Sequence, residues 1–493
     1  MLKSKALDII SSFSSDEVKE FREFLSSPYY NTNKTLLKFY ELIVKFHPKF
    51  ENNNLTKEYL FSKLYEGQKY KDEVIRNLLS RLLSQGENYL RVKGFEGDTY
   101  GKDIYLIEEL NKRKIGSLFD KNVLKMEKLL EKQDIDGNSY FFKFRLETEK
   151  FNYNLTNRRI SSPLEIDEDM MILKKRGEHI INFFIMAHLK QTDFLNKFSS
   201  LYNYDIDEYL TIDFNKKTDL INVLIHLMQR NDEYSNVYEI YYYLIKAFQD
   251  LNETSFYFKF KEALLKKADI FSTDEKHYLF GKLIDYAIIK NRASKDNSFA
   301  EEHFNIYVLY LEREYYKHSK SDYLPLDLFR NILIQSLRRR DFEWTEEFIK
   351  KYIVKLKKDY QENMYNYSVA FLEYQKGNFV KALEAINKVV YNFFTFKYDV
   401  RNLNLMICYE LEQWESVRSI LESYKRFLIN NKMVGRDRKE FYGNFLKYVG
   451  KITKLRSSPG KVDKLDKDFL RKEVISTNNF SYKDWVLEKI DQL

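Results

Sequence analysis

Residues 365–390 read YNYSVAFLEYQKGNFVKALEAINKVV. Two helix-forming stretches flank one glycine, Gly377. Ala370, Gly377, Phe379 and Ala382 fall where a tetratricopeptide hairpin wants a small residue, the turn between helices, an aromatic and a second small residue. The small side chains let the paired helices approach, the glycine turns the chain, and the aromatic fills the wedge between hairpins. A degenerate copy follows at Cys408, Tyr409, Trp414 and Val417, with Trp414 standing 35 positions after Phe379. Another precedes it, where Phe342 follows Arg340-Asp341 and stands 37 positions before Phe379. Both spacings lie near the motif's period of about 34 residues.

Outward from this core the same rhythm continues. Residues 103–451 read as a series of helices, and no segment shows sustained period-2 alternation. The breaks are short and polar, at 134–138, 161–163, 231–235, 294–297 and 319–322. Helices of this size joined by brief turns suggest stacked hairpins. With only 14 glycines and 5 prolines in 493 residues, turn-rich β architecture is disfavoured. The expectation is an all-α protein, a helical-hairpin solenoid of tetratricopeptide-like repeats with an N-terminal helical module. Residues 1–100 would form that module, 101–450 the array, and 451–493 a basic linker with a capping helix.

In the N-terminal module, Ser15 precedes a helical face made by Val18, Phe21, Phe24 and Leu25, which ends at Ser26-Ser27-Pro28. A helix over 34–46 follows, and Thr56 caps another that buries Leu60, Phe61 and Leu64. Residues 71–90 repeat apolar positions at Val74, Leu78 and Leu82, with Leu79 and Leu83 beside them. A rival reading is a winged helix-turn-helix. Its recognition helix would be 74–83, exposing Arg76, Asn77, Ser80 and Arg81, and its wing strands would be 89–92 and 103–107.

EFREFLSSPYYN at 20–31 and LTKEYLFSKLY at 55–65 resemble the opening of an uncharacterised family of bacterial multi-helical, tetratricopeptide-like repeat proteins. IEELNKRKIGSLFDK at 107–121 and KDWVLEKI at 483–490 resemble later parts of the same pattern. The resemblance implies a multi-helical repeat fold. It implies no activity and no functional residue.

Residues 451–473 carry eight basic and four acidic side chains around Ser457-Ser458-Pro459-Gly460, a linker-like tetrapeptide. A last helix over 482–493 sets Trp485, Val486 and Ile490 on one stripe. It reads as a cap on the array or as a tail that docks on a partner.

Composition bounds the chemistry. The single cysteine, Cys408, excludes intramolecular disulfides and cysteine-based metal sites and points to a reducing compartment. The most apolar stretch, 180–187, contains Asn182 and is far shorter than a membrane span, and the N-terminus does not read as an export signal. A cytoplasmic protein without membrane contact is expected. The formal charge of +8, from 82 basic and 74 acidic residues, permits nucleic-acid contact without demanding it. An aromatic fraction of 16% would suit a binding groove, although Lys, Asn and Ile are also abundant, as a nucleotide-composition bias would make them.

Gly97-x-x-x-Gly101-Lys102-Asp103 is one residue too short for a phosphate loop and has Asp where Ser or Thr belongs. The seven histidines, His47, His179, His188, His226, His277, His303 and His318, form no HExxH pair. No nucleophile elbow is present, and acidic pairs such as Glu301-Glu302 and Glu346-Glu347 sit among lysines as solvated faces do. The reading is of a non-enzyme with no cofactor and no metal.

Two features could recruit partners. In a tetratricopeptide array the first helix of each hairpin lines a groove. The motif spacing then nominates Arg330 and Ile334; Tyr367, Phe371 and Tyr374; and Asn402, Met406 and Tyr409, a set suited to a protein or peptide. The alternative is that these residues pack against neighbouring helices. The second feature is basic clustering at 112–114, 174–176, 338–340 and Arg436 with Arg438-Lys439, which could touch nucleic-acid phosphate. Asp341, Glu343, Asp437 and Glu440 flank the last two clusters, as on a solvated surface. An interaction scaffold is therefore expected first, and a nucleic-acid-binding regulator second.

Overall fold

The computed structural model describes residues 2–157, 163–202, 204–230, 234–293, 298–317, 322–390, 394–431, 435–457 and 463–493. Among these, every regular element is helical. The one β feature is an isolated bridge between Ile135 and Phe271. The breaks expected at 161–163, 231–235, 294–297 and 319–322, the tetrapeptide at 457–460, and His318 lie wholly or partly outside the described residues.

The chain divides into two compact units, Met1–Lys132 with Phe141–Ile180, and Gln133–Tyr140 with Ile181–Leu493. These do not follow the boundaries read at 100 and 450. Residues 101–132 cluster with the N-terminal helices, and 451–493 cluster with the array.

The first unit begins with α1 (Lys5–Ser11), α2 (Ser15–Ser26), α3 (Lys34–Ile43), α4 (Lys57–Leu64) and α5 (Asp72–Gly97). Phe21, Phe39, Tyr40, Leu60, Ile75 and Leu82 form their shared core. The cap of α2 is Ser14 rather than Ser15. Ser14 Oγ accepts from Glu17 N at 3.2 Å while Glu17 Oε2 accepts from Ser14 N at 2.8 Å. Ser15 would have Val18 at the reciprocal position, which cannot close that box. Thr56 caps α4 as expected, accepting from Tyr59 N. Next come α6 (Gly101–Lys112) and α7 (Gly116–Glu131), whose core is Ile104, Ile107, Phe119 and Met126, then α8 (Gly137–Asn157) and α9 (Pro163–Tyr202).

The wing is overturned. Residues 89–92 belong to α5, where Tyr89 is buried and donates to Glu20 Oε2 at 2.8 Å, and 103–107 belong to α6. The helical period of the apolar residues simply continues through both segments.

The second unit contains the end of α9, then α10 (Leu210–Lys217), α11 (Leu220–Gln229), α12 (Ser235–Gln249), α13 (Ser255–Lys267), α14 (Thr273–Ala293) and α15 (Ser298–Glu312). The remainder is α16 (Leu326–Arg338), α17 (Phe342–Tyr352), α18 (Lys358–Gln375), α19 (Phe379–Asn387), α20 (Phe394–Glu410) and α21 (Trp414–Asn430). It ends with α22 (Arg436–Arg456), α23 (Lys464–Ser476) and α24 (Lys483–Asp491). No helix among the described residues is long and apolar enough to cross a membrane.

The pairs α16–α17, α18–α19 and α20–α21 share one turn. In each, a residue with left-handed backbone stands two positions before the aromatic that opens the second helix. Arg340 (φ 56°) precedes Phe342, Gly377 (φ 82°) precedes Phe379, and Glu412 (φ 56°) precedes Trp414. At Gly377 the turn closes with Asn378 N donating to Glu373 O and Gly377 N to Tyr374 O, and Gln413 N repeats the first bond to Cys408 O. Ala370 and Ala382 are fully buried, consistent with close approach of α18 and α19. Helices α16 and α18 touch, as do α18 and α20, so the first helices of successive pairs lie side by side.

Candidate partner-binding face

On α16, α18 and α20 the eight nominated side chains are not open to solvent. Tyr367, Phe371, Tyr374, Asn402, Met406 and Tyr409 are buried, and Arg330 and Ile334 are partly buried. This corrects the expectation of an open groove, and two carboxylates, buried Asp399 and partly buried Glu410, tie helices together here.

The first is Asp399 on α20. Its Oδ2 accepts from Arg330 Nε on α16 at 2.7 Å and from Tyr367 OH on α18 at 3.0 Å. One carboxylate oxygen thus joins three helices. Tyr482, just before α24, sits against Phe445 with ring centroids 5.3 Å apart. Burial, and then the negative charge of Asp399, push its hydroxyl above the ordinary tyrosine range.

The second is Glu410, the last residue of α20. Its Oε1 accepts from Lys489 Nζ at 2.8 Å and Trp485 Nε1 at 3.0 Å, both on α24, with Tyr374 OH at 3.4 Å. The Trp485 ring meets Tyr409 edge-on at 5.3 Å and Phe445 of α22 at 6.1 Å. Helix α24 therefore lies against residues of α18, α20 and α22. Of the nominated residues, Arg330 and Tyr367 meet on Asp399, Tyr374 reaches Glu410 and Tyr409 lies against Trp485. Asn402 turns elsewhere, accepting from Tyr424 OH of α21 at 3.0 Å, and Phe371 lies within α18 against the Tyr367 ring, tilted by 47°.

Asp399, Glu410, Tyr482 and Lys489 were missed. A signal for Glu410 existed, since a carboxylate on the last turn of a helix opposes the macrodipole and requires a cation nearby.

The basic clusters divide between the units, 112–114 and 174–176 in one, 338–340 and 438–439 in the other. Lys112 and Arg113 both pair with Glu109, Arg176 lies over the Phe151 ring, and Arg339 lies over Phe304 and pairs with Glu301. The side chain of Arg436 is outside those described. At the glycine pair 97 and 101, Asp98 Oδ1 accepts from Gly101 N at 2.7 Å. The chain's own carboxylate thus holds the helix N-terminus that a phosphate would need. Cys408 is buried, and burial raises its thiol pKa.

No cluster of histidine, cysteine and acidic side chains suited to a metal occurs among the described residues. His47 contacts Phe13 O, His188 contacts Asn215, and His277 contacts Tyr310. His303, on α15, is buried beside Tyr307, and burial, aided by Arg338, lowers its pKa from 6.5 to about 4. The unfolded chain takes up this proton near pH 6.5, whereas the folded site resists until about 4. Its contribution is whole above pH 6.5 and falls away as pH drops through that window, by roughly 3 kcal/mol in all. All three tryptophans, Trp344, Trp414 and Trp485, lie in the second unit, so their fluorescence reads this unit alone. In urea melts at pH 7 and pH 4.5, His303→Phe should lose clearly less stability on acidification than the wild type. Equal losses would show that His303 does not carry the effect.

No protein-family model matches this chain, and no curated protein and no solved structure matches it.

Proposed function

We propose that the chain is a non-catalytic, cytoplasmic interaction scaffold of tetratricopeptide-like hairpins that binds a protein or peptide on the face of α16, α18, α20 and α22. The observation that carries this reading is α24. A helix 75 residues distant in sequence from Glu410 is seated on this face, through an aromatic ring and two charged or polar anchors. A surface that accepts one helix in this way has the shape and chemistry of a helix-in-groove site. The recurring turn at Arg340, Gly377 and Glu412 supports the repeat reading. The carboxylates of buried Asp399 and partly buried Glu410 each gather donors from neighbouring helices, which is a structural use of charge.

The test is site-specific photocrosslinking in cells that make the protein. A photoreactive phenylalanine analogue is placed at exposed Glu412, on the rim of this face and not carried by α24, or at exposed Val380 on α19, away from it. Partner adducts are expected from position 412 and not from 380. Adducts from 380 alone, or equally from both, would refute the assignment of the face.

A further inference from the structure

Glu410 is the key to what this face prefers. A carboxylate at the last position of α20 faces the negative end of that helix, so α20 itself gives no reason for its presence. Its environment makes it costlier still, because its side chain is only 13% exposed and that of Lys489 only 8%. A desolvated carboxylate needs a matched cation and further donors. Lys489 and Trp485 supply both from the same stripe of α24, since residues four apart on a helix share a face. All three donors converge on one oxygen. That point contact suits a compact ammonium better than a guanidinium, whose fork prefers both oxygens of a carboxylate. The apolar half of the site is equally specific, with the Trp485 ring lying against Tyr409 and Phe445.

Solvent reaches the edge of this seat, where a polar surface cleft of about 90 Å³ lies beside the ion pair, bounded by Glu410, Glu412, Trp414, Arg456 and Lys489. The approach to α24 runs through left-handed backbone at Asn479 (φ 50°) and Tyr482 (φ 53°). Such a conformation disfavours a tyrosine, which the burial of its ring offsets only while the segment is docked.

Resting on the reading of this face as the partner site, we propose that Tyr374, Tyr409, Glu410 and Phe445 form a recognition site for a partner helix bearing an aromatic residue followed four positions later by lysine, and that α24 is an internal competitor which such a helix displaces. A tethered segment competes at an effective concentration of about millimolar, so the closed chain binds a rival helix far more weakly than an opened one.

The probe is a fluorescein-labelled peptide of residues 478–493, titrated by anisotropy against the full chain. Trp485→Ala/Lys489→Ala in the chain removes the α24 groups that meet Glu410 and Tyr409, and gives the opened chain. The peptide is expected to bind this variant on the order of 10- to 100-fold more tightly than it binds the wild type. A peptide carrying Lys489→Glu should lose that binding and should regain it on a chain carrying Glu410→Lys. Equal affinity for wild type and opened chain would overturn the competitor role. No binding to an opened chain that keeps its helical circular dichroism would overturn the site. If the opened chain and Glu410→Lys both lose their fold, α24 belongs to the folding core and the proposal fails. The crosslinks from position 412, which does not move with α24, are independent of these titrations. Their survival alongside a negative titration would remove the aromatic–lysine rule and leave the scaffold reading standing, whereas their loss would remove the partner face itself.

Discussion

Asp399→Ala is expected to destabilise the second unit by about 3–5 kcal/mol, the usual cost of leaving a buried charge without its partner. Asp399 is 5% exposed, and its Oδ2 is shared by Arg330 and Tyr367. Its removal leaves the Arg330 guanidinium, whose side chain is three-quarters buried, with Asn331 Oδ1 at 2.9 Å as a neutral partner. It also removes one partner of the hydroxyl of Tyr367, a tyrosine that has no solvent exposure. Urea unfolding followed by tryptophan fluorescence measures the loss. The double variant Arg330→Met/Asp399→Ala should recover most of it, because a buried ion pair replaced by apolar bulk is close to neutral. A single variant within 1 kcal/mol of wild type, or a double variant no better than the single, would show that this carboxylate does not tie α16, α18 and α20 together.

The hairpin turns show what was legible and why. Gly377 announces a left-handed residue, because glycine alone adopts that backbone at no steric cost. Arg340 and Glu412 adopt it too, and nothing in their own side chains says so. Only the aromatic two positions later, Phe342 or Trp414, marks the equivalence. The spacing of the motif also identified the helices that form the face. It could not say what covers that face, since helical periodicity is local information and α24 arrives from 75 residues beyond Glu410. Trp485, Val486 and Ile490 read as one apolar stripe, yet they part company in the fold. Val486 and Ile490 are fully buried, while the partly buried Trp485 turns its ring and its indole N–H toward α20. In the N-terminal module, Gly94 and Gly97 lie between the segments 89–92 and 103–107 that read as wing strands. Neither is crowded, and α5 runs through both because its buried residues recur at helical spacing as far as Tyr89. The intrinsic cost of glycine in a helix, about 1 kcal/mol each, is small against such packing.

Lys190→Met should be as damaging as Asp399→Ala, and its damage should depend on pH. Helices α9 and α14 are joined by charges that alternate along both. Lys190 pairs with Glu275 at 2.5 Å, Lys282 with Asp193, and Lys197 with Asp285 at 2.7 Å. Glu275 has no solvent exposure, and the hydroxyl of buried Tyr241 donates to it as well. Burial raises the Glu275 pKa above its ordinary 4.5, against the opposing pull of Lys190. Removing Lys190 leaves burial unopposed by that cation and lifts the pKa further. The folded protein then holds a proton that the unfolded chain has released, so stability falls as pH rises above 4.5 and returns as pH falls toward it. The expected deficit is about 3–5 kcal/mol at pH 8 and clearly less at pH 5. Adding Glu275→Gln to Lys190→Met should abolish the pH dependence, because the amide carries no charge to strand and still accepts from Tyr241. Tryptophan-detected urea melts across that range decide the matter. A deficit independent of pH would mean that Lys190 contributes packing by its methylene stem rather than charge, and that the carboxyl of Glu275 is already protonated in the wild-type fold.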